Sequence, residues 1–519
     1  MSVNRVTPIG PASRRRLMPR LLNLLLIFAS VAAATLGAEI VVRVADGVPV
    51  FSPSLGDAAR SATTAAQRDA VPLAKGIASA WFSEDPPPLP NRRTPPADWE
   101  RQYREIRDNP GAFGSFRTFD PFKAWNAVFA GDPCRHFHLR NAPGAIFVYD
   151  PPDGNASPPY RYLPDATTPL GLVTNQIGWR GPPIEHPRRP RLVRIVFVGA
   201  STTVSGHRLP YSYPEHVGHW LNKWAAANRL DVRFETLNAG RESTTSADIL
   251  SEVRSEVLPL RPDLVVYYEG SNQFDLRSIA EGLPTGTAPR GASTPDATPP
   301  WLRAASDHSA LARRLQAAFG YAAAPPPSKE WPKPDYRLMW PEGLNEADPD
   351  IAFPRLPVNL NAIQRDLDGM RTELAAAGSE FALSSFVWLV KDGMVLDPIR
   401  NRYILEHLNV TYYPFRYRDL ERLAAFQNRV FAKYAAVRGI PFIDVARYMP
   451  LDTDLFIDGI HDTAGGVRLR AWIVLQQLIP IIEKRLSDGQ WPRTLTGPDP
   501  PLPTFVPRRL SFDCKAPPK

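Results

Sequence analysis

Ser201 is the residue of this 519-residue chain whose neighbours most clearly predict chemistry. It lies in RIVFVGASTTVSG, residues 194–206, where a β-branched and aromatic run ends at Gly199 and is followed by Ala200 and three hydroxyl residues. The run predicts a strand buried on both faces of a parallel sheet, and the glycine permits a sharp turn. Because ligands bind at the carboxyl ends of such strands, Ser201 is placed like a nucleophile. On this stretch alone, a Ser/Thr-rich turn that caps the next helix explains the residues equally well.

Two familiar motifs do not fit this stretch. No Gly-Lys-Ser or Gly-Lys-Thr follows the strand, which argues against a phosphate-binding loop. Thr203 stands where a G-x-S-x-G nucleophile elbow has its last glycine. If Ser201 is a nucleophile, it therefore belongs to another kind of site.

Three further polar clusters follow later predicted strands. Gly240, in Asn-Ala-Gly, can offer a backbone N–H to a substrate oxygen, and Asn272, in Gly-Ser-Asn, carries an amide donor suited to an oxyanion. Asp458 and His461 are three residues apart, so the carboxylate can hold one imidazole nitrogen while the other faces a serine. Each cluster alone has an ordinary explanation as a turn, a cap or a loop. Their order, each after its own strand, favours one shared site.

This combination resembles the SGNH hydrolases, also called the GDSL family, whose four blocks supply Ser, Gly, Asn and an Asp-x-x-His pair. The resemblance covers about residues 194–486, and NQIGWRG at 175–181 is similar to the lead-in of membrane-anchored bacterial members. It implies an α/β fold, a flavodoxin-like parallel sheet flanked by helices. It also implies ester chemistry with no metal and no other cofactor.

The resemblance assigns a role to each block residue. Ser201 is the nucleophile, His461 the base and Asp458 its partner, while the backbone N–H groups of Ser201 and Gly240 and the Asn272 amide form the oxyanion hole. The chain departs from the family at two places, having Ala200 before the serine and Gln273 after the asparagine, where the family often has Asp. The second departure leaves catalytic efficiency and substrate type open.

Alternating strand and helix patterns from Val193 onward predict a parallel sheet covered on both faces. Pro480 is expected to bend or shorten the last helix. The predicted strands cover 195–198, 232–237, 263–268, 381–389 and 441–445, and the predicted helices follow Pro214 and cover about 249–257, 309–319, 360–374, 420–434 and 466–486.

The amino-terminal region predicts a membrane anchor. Residues 21–38 are almost wholly apolar, and five arginines without any acid precede them. The run nearly spans a bilayer, and the arginines orient the amino terminus towards the cytoplasm. A cleavable signal peptide remains the alternative, because Val31–Ala34 is rich in small residues. The expectation is a single-pass protein of the inner (cytoplasmic) membrane, with its catalytic domain periplasmic.

Composition divides the chain into six parts and excludes one class of partner. The net charge of +8 is accounted for by the two ends, so no basic face for nucleic acid is expected between them. The predicted parts are a cytoplasmic basic tail (1–20), a transmembrane helix (21–44), a stalk (45–112), a small β-rich module (113–190), a hydrolase-like domain (191–488) with a Pro-rich insertion (282–357), and a Pro-rich tail (489–519).

The chain has two cysteines, Cys134 and Cys514. In an exported protein they can form a disulfide that ties the tail to the amino-terminal region, although two unpaired thiols remain an open alternative. His136 and His138 alternate near the first cysteine but lack a third metal ligand at a sensible spacing.

These observations favour an exported, membrane-anchored serine esterase that acts through an acyl-enzyme on acyl esters of envelope or secreted glycans or lipids. An O-acyltransferase that modifies a polysaccharide would use the same residues with a sugar acceptor. A non-catalytic envelope scaffold that keeps the fold is the alternative from another class.

Overall fold

The structure is a computed structural model. It describes residues 14–46, 50, 63–95, 97, 100–101, 149–150, 161–162, 164–168, 171–205, 209–283, 305, 309–319, 329–397, 400–495, 497–504 and 506–507. The described chain divides into two compact units. One comprises Met1–Ser54, Gly286–Lys333 and Gly393–Pro414, and the other comprises Leu55–Thr285, Pro334–Asp392 and Phe415–Lys519.

A five-stranded parallel sheet is the centre of the second unit. Its strands lie in the order β2-β1-β3-β4-β5, the order of flavodoxin-like sheets. The strands are β1 (Leu192–Gly199), β2 (Arg233–Asn238), β3 (Leu264–Tyr268), β4 (Glu380–Ser384) and β5 (Phe442–Ile443). All side chains of β1 and β3 are buried, as expected for central strands covered on both faces. The predicted fold class is confirmed.

The described residues of the two units include several longer helices. They are α1 (Arg14–Ala45), α2 (Tyr213–Ala227), α3 (Ser246–Glu252), α4 (Ala310–Ala318), α5 (Leu360–Ala376), α6 (Tyr417–Arg438) and α7 (Ala464–Ser487). Helix α2 packs on β2 and α7, while α5 packs on α3, β4 and α6. The apolar residues of α2 and α5 that repeat at helical spacing are buried, as an amphipathic helix requires.

Shorter elements connect the sheet and the long helices. The short helices are Ala65–Asp69, Ser201–Val204, Arg402–Glu406 and Val445–Tyr448, with 3₁₀ turns at Ser79–Ser83, Leu258–Leu260, Leu276–Ile279 and Thr453–Leu455 and π turns at Val253–Val257 and His407–Thr411. The short strand pairs are Tyr149–Asp150 with Val506–Pro507 and Ala280–Glu281 with Arg337–Leu338, both antiparallel. Most of the predicted β-rich module lies outside the described residues.

Pro480 does not shorten helix α7, which continues to Ser487. A proline removes one backbone donor and leaves the carbonyl one turn earlier without that partner. Pro480 itself lies on the exposed side of the helix. Of the two expected effects of Pro480, shortening is therefore wrong, and a bend of the helix stays a prediction.

Helix α1 is long and apolar enough to cross a membrane over Leu22–Ala45, with a mean hydropathy of 2.2. Among the described residues it is the one helix that meets this test. Length and composition alone do not separate a membrane span from a signal sequence at this end of the chain.

Candidate active site

Ser201 opens the short helix Ser201–Val204 immediately after β1. The turn that delivers it requires a glycine at position 199, because a Cβ there would lie 2.2 Å from Thr203 Oγ1 and 2.3 Å from the Tyr268 carbonyl oxygen. Thr203 Oγ1 donates to that same carbonyl at 3.1 Å, which ties the serine turn to β3. The hydroxyl is therefore presented at the carboxyl edge of the sheet by two neighbouring strands.

The imidazole of His461 lies between Ser201 and Asp458. Its Nε2 is 2.8 Å from Ser201 Oγ, and its Nδ1 is 2.8 Å from Asp458 Oδ2. The other carboxylate oxygen, Oδ1, accepts the backbone N–H groups of Ile460 and His461, both at 2.9 Å. Asp458 thus both stabilises the turn and orients the imidazole ring. The three side chains have the arrangement of a nucleophile, a base and an orienting acid.

The Asp458–His461 turn is supported from two directions. The Ile457 N–H donates to the His461 carbonyl at 2.7 Å, and Leu389, which follows β4, donates its N–H to the Gly459 carbonyl at 2.8 Å. Helix α7 begins just beyond, capped by the Thr463 hydroxyl. Segments after two different strands therefore converge on the imidazole.

Burial lowers the pKa of His461, but the charge and hydrogen bond of Asp458 outweigh it and raise the pKa to about 9, with Glu242 and Asp462 adding in the same direction. Burial raises the pKa of Glu242 to about 7, against the opposing effects of His461 and Arg180. Glu242 belongs to the loop after Gly240 and is a titratable neighbour of the site that the sequence motifs do not indicate.

Gly240 lies against the serine turn, where any side chain would collide. A Cβ at this position would be 2.5 Å from the Val204 backbone nitrogen and 2.9 Å from Thr203 Cβ. Its N–H donates to Asn238 Oδ1 at 3.0 Å, while Asn238 Nδ2 donates to the Thr203 carbonyl at 2.9 Å. As an oxyanion donor, the Gly240 N–H would therefore be shared between Asn238 and the substrate.

Asn272 follows β3, and its side-chain amide donates one N–H to the Thr244 carbonyl at 2.8 Å. A carboxamide has two N–H donors, so this contact orients the group and leaves the second donor for a substrate oxygen. The fold thus brings Asn272 to the same edge of the sheet as Gly240 and Ser201. The loop 240–244 begins at Gly240 and ends at Thr244, whose carbonyl accepts the Asn272 amide.

Glu269 is a buried carboxylate directly before the Gly-Ser-Asn block. Its Oε1 accepts the backbone N–H groups of Ser271 and Asn272, both at 2.7 Å, and its Oε2 has no partner among the described residues. Burial raises the pKa of Glu269, while the backbone donors of Asn272, Ser271 and Gly270 oppose the shift. Sequence reasoning missed this residue, although an acid between an apolar strand and a glycine is a signal for it.

Gln273, the second departure from the family pattern, supports the site from outside it. Its Oε1 accepts the Ser246 N–H at 2.7 Å, and its Nε2 donates to Ser246 Oγ at 2.7 Å. The amide therefore links the Asn272 turn to the amino-terminal end of helix α3.

Two buried ionic groups stabilise the backbone behind the site. Arg470 pairs with Asp462 at 2.6 Å and donates to the Thr202 carbonyl at 3.1 Å, so it joins the residue after His461 to the serine turn. Behind the 240–244 loop, a second group of buried side chains connects the loop to the segment before β1. Its members are Arg161, Arg241, Glu252, Glu256 and Trp179.

His216 is buried against the Trp220 ring on α2, and burial lowers its pKa to about 3. Cys134, Cys514, His136 and His138 lie outside the described residues. Within the described part of the chain, no group of three or more His, Cys, Asp or Glu side chains could hold a metal ion.

No protein family profile matches the chain, and no curated protein matches it. Several solved structures are similar to part of it. An acetyl xylan esterase from Geobacillus stearothermophilus is 14% identical, with 55% of this chain and 94% of that chain covered and a TM-score of 0.30. A GDSL-like lipase from Bacteroides thetaiotaomicron is 14% identical, with 58% and 93% covered and a TM-score of 0.26.

Proposed function

We propose that the chain is a membrane-anchored serine ester hydrolase of the SGNH type, which acts on acyl esters of envelope or secreted glycans or lipids. One observation carries the proposal: His461 lies 2.8 Å from both Ser201 Oγ and Asp458 Oδ2. Gly240 and Asn272 follow the two strands that pair with β1, at the same edge of the sheet, and are the proposed oxyanion donors.

In the proposed reaction, His461 Nε2 takes the Ser201 proton as Oγ attacks the ester carbonyl carbon. The N–H groups of Ser201 and Gly240 and the second N–H of Asn272 stabilise the oxyanion. The alcohol leaves with the proton from His461, which yields a seryl ester. Water then attacks this ester with His461 again as the base, releasing the carboxylic acid and restoring Ser201. Asp458 stabilises the imidazolium in both halves.

The catalytic proposal is tested with the purified full chain and a panel of acetyl and longer-chain esters. Ser201→Ala should abolish turnover and labelling by a fluorophosphonate, and His461→Ala should be about as severe because the two residues act as a unit. Asn272→Ala should lower the turnover rate about 100-fold without abolishing it, since it removes one oxyanion donor.

Ser205→Ala is the matched control, because Ser205 lies at the end of the same short helix and its Oγ donates to the Thr203 carbonyl, at 3.4 Å, away from the imidazole. This variant should keep its activity. Ester turnover that survives Ser201→Ala would refute the proposed site. If the unmodified protein transfers the acyl group to added sugar in preference to water, the chain is an acyltransferase.

A further inference from the structure

Glu39 is an acidic residue inside the apolar helix α1, and the amino terminus of helix α4 satisfies its charge. The Ala310 N–H donates to Oε1 at 2.9 Å, and the Leu311 N–H donates to Oε2 at 2.9 Å. Ser309 Oγ donates to Oε2 at 2.7 Å, and Arg43, one turn further along α1, pairs with Oε1 at 2.6 Å. A carboxylate at a helix amino terminus meets unpaired N–H groups and the positive end of the helix dipole.

Helix α4 runs along the last turns of α1 in the same direction. Its first residues meet Glu39, and its next turn meets the end of α1, where Arg314 Nε donates to Asp46 Oδ1 at 3.1 Å. With α4 in place, the side chains of Glu39 and Arg43 are 17% and 11% exposed. The two charged side chains that interrupt the apolar helix are therefore covered by protein.

The length of α1 indicates where α4 lies in a bilayer. The apolar span Leu22–Ala45 has 24 residues, or about 36 Å at 1.5 Å per residue. A bilayer has a hydrocarbon core of about 30 Å and a total thickness of about 40–45 Å including headgroups. With Leu22 at the inner edge of the core, Glu39 and the first turn of α4 lie about 26 Å across, close to the outer edge of the core, and the later turns of α4 reach the level of the outer headgroups.

The outward side of this pair of helices carries exposed apolar side chains. Leu315 on α4 and Phe319, which directly follows that helix, are 44% and 69% exposed and lie one turn apart on the same side, next to the half-exposed Arg314. Arg313 and Gln316 are buried. On α1, Val41 and Val44 are also largely exposed. Apolar side chains at consecutive turns are unfavourable in water and favourable among acyl chains and headgroups.

We propose that α4 and the outer end of α1 form one lipid-contacting surface, in which Leu315 and Phe319 insert between the headgroups of the outer leaflet. This inference rests on the proposed anchoring by α1 and is independent of the catalytic chemistry. The occupant is lipid because the surface continues the lipid-facing side of the span itself.

The test introduces the photoreactive amino acid benzoyl-phenylalanine at single positions of the full chain in liposomes and detects adducts by mass spectrometry after irradiation. Position 319 is the probe, and position 25, within the span, reports on anchoring. Val437 of α6, which is comparably exposed but belongs to the other unit, measures adduct formation by exposure alone.

Lipid adducts should form at 319 and at 25, at several times the yield found at 437. Adducts at 25 combined with a yield at 319 equal to that at 437 would overturn the inference and leave the anchor intact. Failure at 25 would instead refute the anchor. Protein–protein adducts at 319 would overturn the inference by showing that a second copy covers this surface.

Discussion

Glu269 is the residue outside the four sequence blocks whose contacts bear most directly on the proposed oxyanion hole. It touches neither Ser201 nor His461, but it accepts the backbone N–H of Asn272 and of the residue before it, both at 2.7 Å. The position of the Asn272 backbone determines the direction in which its side-chain amide points. We therefore regard Glu269 as a positioning residue.

Glu269→Ala should lower kcat about 10- to 100-fold with little change in KM, because an oxyanion donor, the role proposed for the Asn272 amide, acts on the transition state more than on bound substrate. Glu269→Gln keeps an acceptor oxygen and should retain most of the activity. Steady-state kinetics of both variants, and of Glu269→Ala combined with Asn272→Ala, provide the measurement. If the two alanine losses simply multiply, the residues act independently and the positioning role is wrong.

The pH dependence of catalysis should report the raised pKa of His461. Only the unprotonated imidazole can accept the Ser201 proton, so kcat/KM should rise as the pH increases through about 9. Asp458→Asn removes the negative charge that most favours the protonated ring. Its midpoint should therefore move to lower pH while its plateau falls.

Glu242→Gln should move the midpoint in the same direction by a smaller amount, because Glu242 contributes less than Asp458 to the pKa of His461. Profiles of kcat/KM for the three proteins make the comparison. A midpoint that stays unchanged in Asp458→Asn would show that the rise of kcat/KM with pH reports the titration of another group and not of His461.

At the scale of elements, helix α7 is joined to the serine turn through a buried ion pair. The side chains of Arg470 and Asp462 are each 1% exposed. Removing one partner of such a pair leaves an unpaired charge in the interior, which costs more than the pair contributes.

Arg470→Leu should lower the free energy of unfolding by about 3–5 kcal/mol. Arg468, two residues earlier on α7, pairs with a half-exposed Asp85, donates to the Phe82 carbonyl at 2.9 Å and is the control. Arg468→Leu should change the free energy of unfolding by a smaller amount, about 1–2 kcal/mol. Urea unfolding followed by tryptophan fluorescence tests both, and equal effects would contradict the role assigned to the buried pair.

At the scale of the whole molecule, the proposed anchor decides where the catalytic residues act. A reporter fused after Gly47 should be active outside the cytoplasm, and the mature protein should keep an intact amino terminus in the membrane fraction. Replacing Arg14, Arg15 and Arg16 with Glu should reduce this orientation, because basic residues beside the span set it. A mature chain that begins near Thr35 or Glu39 would establish the signal peptide instead.

The pairing of Cys134 with Cys514 stays a prediction at this scale. Both cysteines lie outside the described residues, but the strand pairing of Tyr149–Asp150 with Val506–Pro507 joins the segments that contain them. Alkylation of the denatured, unreduced protein would distinguish a disulfide from two free thiols.

The sequence by itself determined the order and type of the main elements and which residues stand at the strand ends. Local patterns suffice for this, since the apolar run before Gly199 and the helical spacing in α5 encode burial directly. The Asp458–His461 contact is equally local, because three residues of a turn bring the two side chains together.

Only the tertiary structure decided which distant groups complete the site. The 2.8 Å contact between Ser201 and His461 joins residues 260 positions apart, and the capping of α4 by Glu39 joins residues some 270 apart. The roles of Glu242 and Glu269 could not be read from the sequence, because the pKa and contacts of a buried carboxylate depend on which N–H groups and charges the fold places beside it. Such placement follows from packing across the sheet, which periodicity along the chain does not encode.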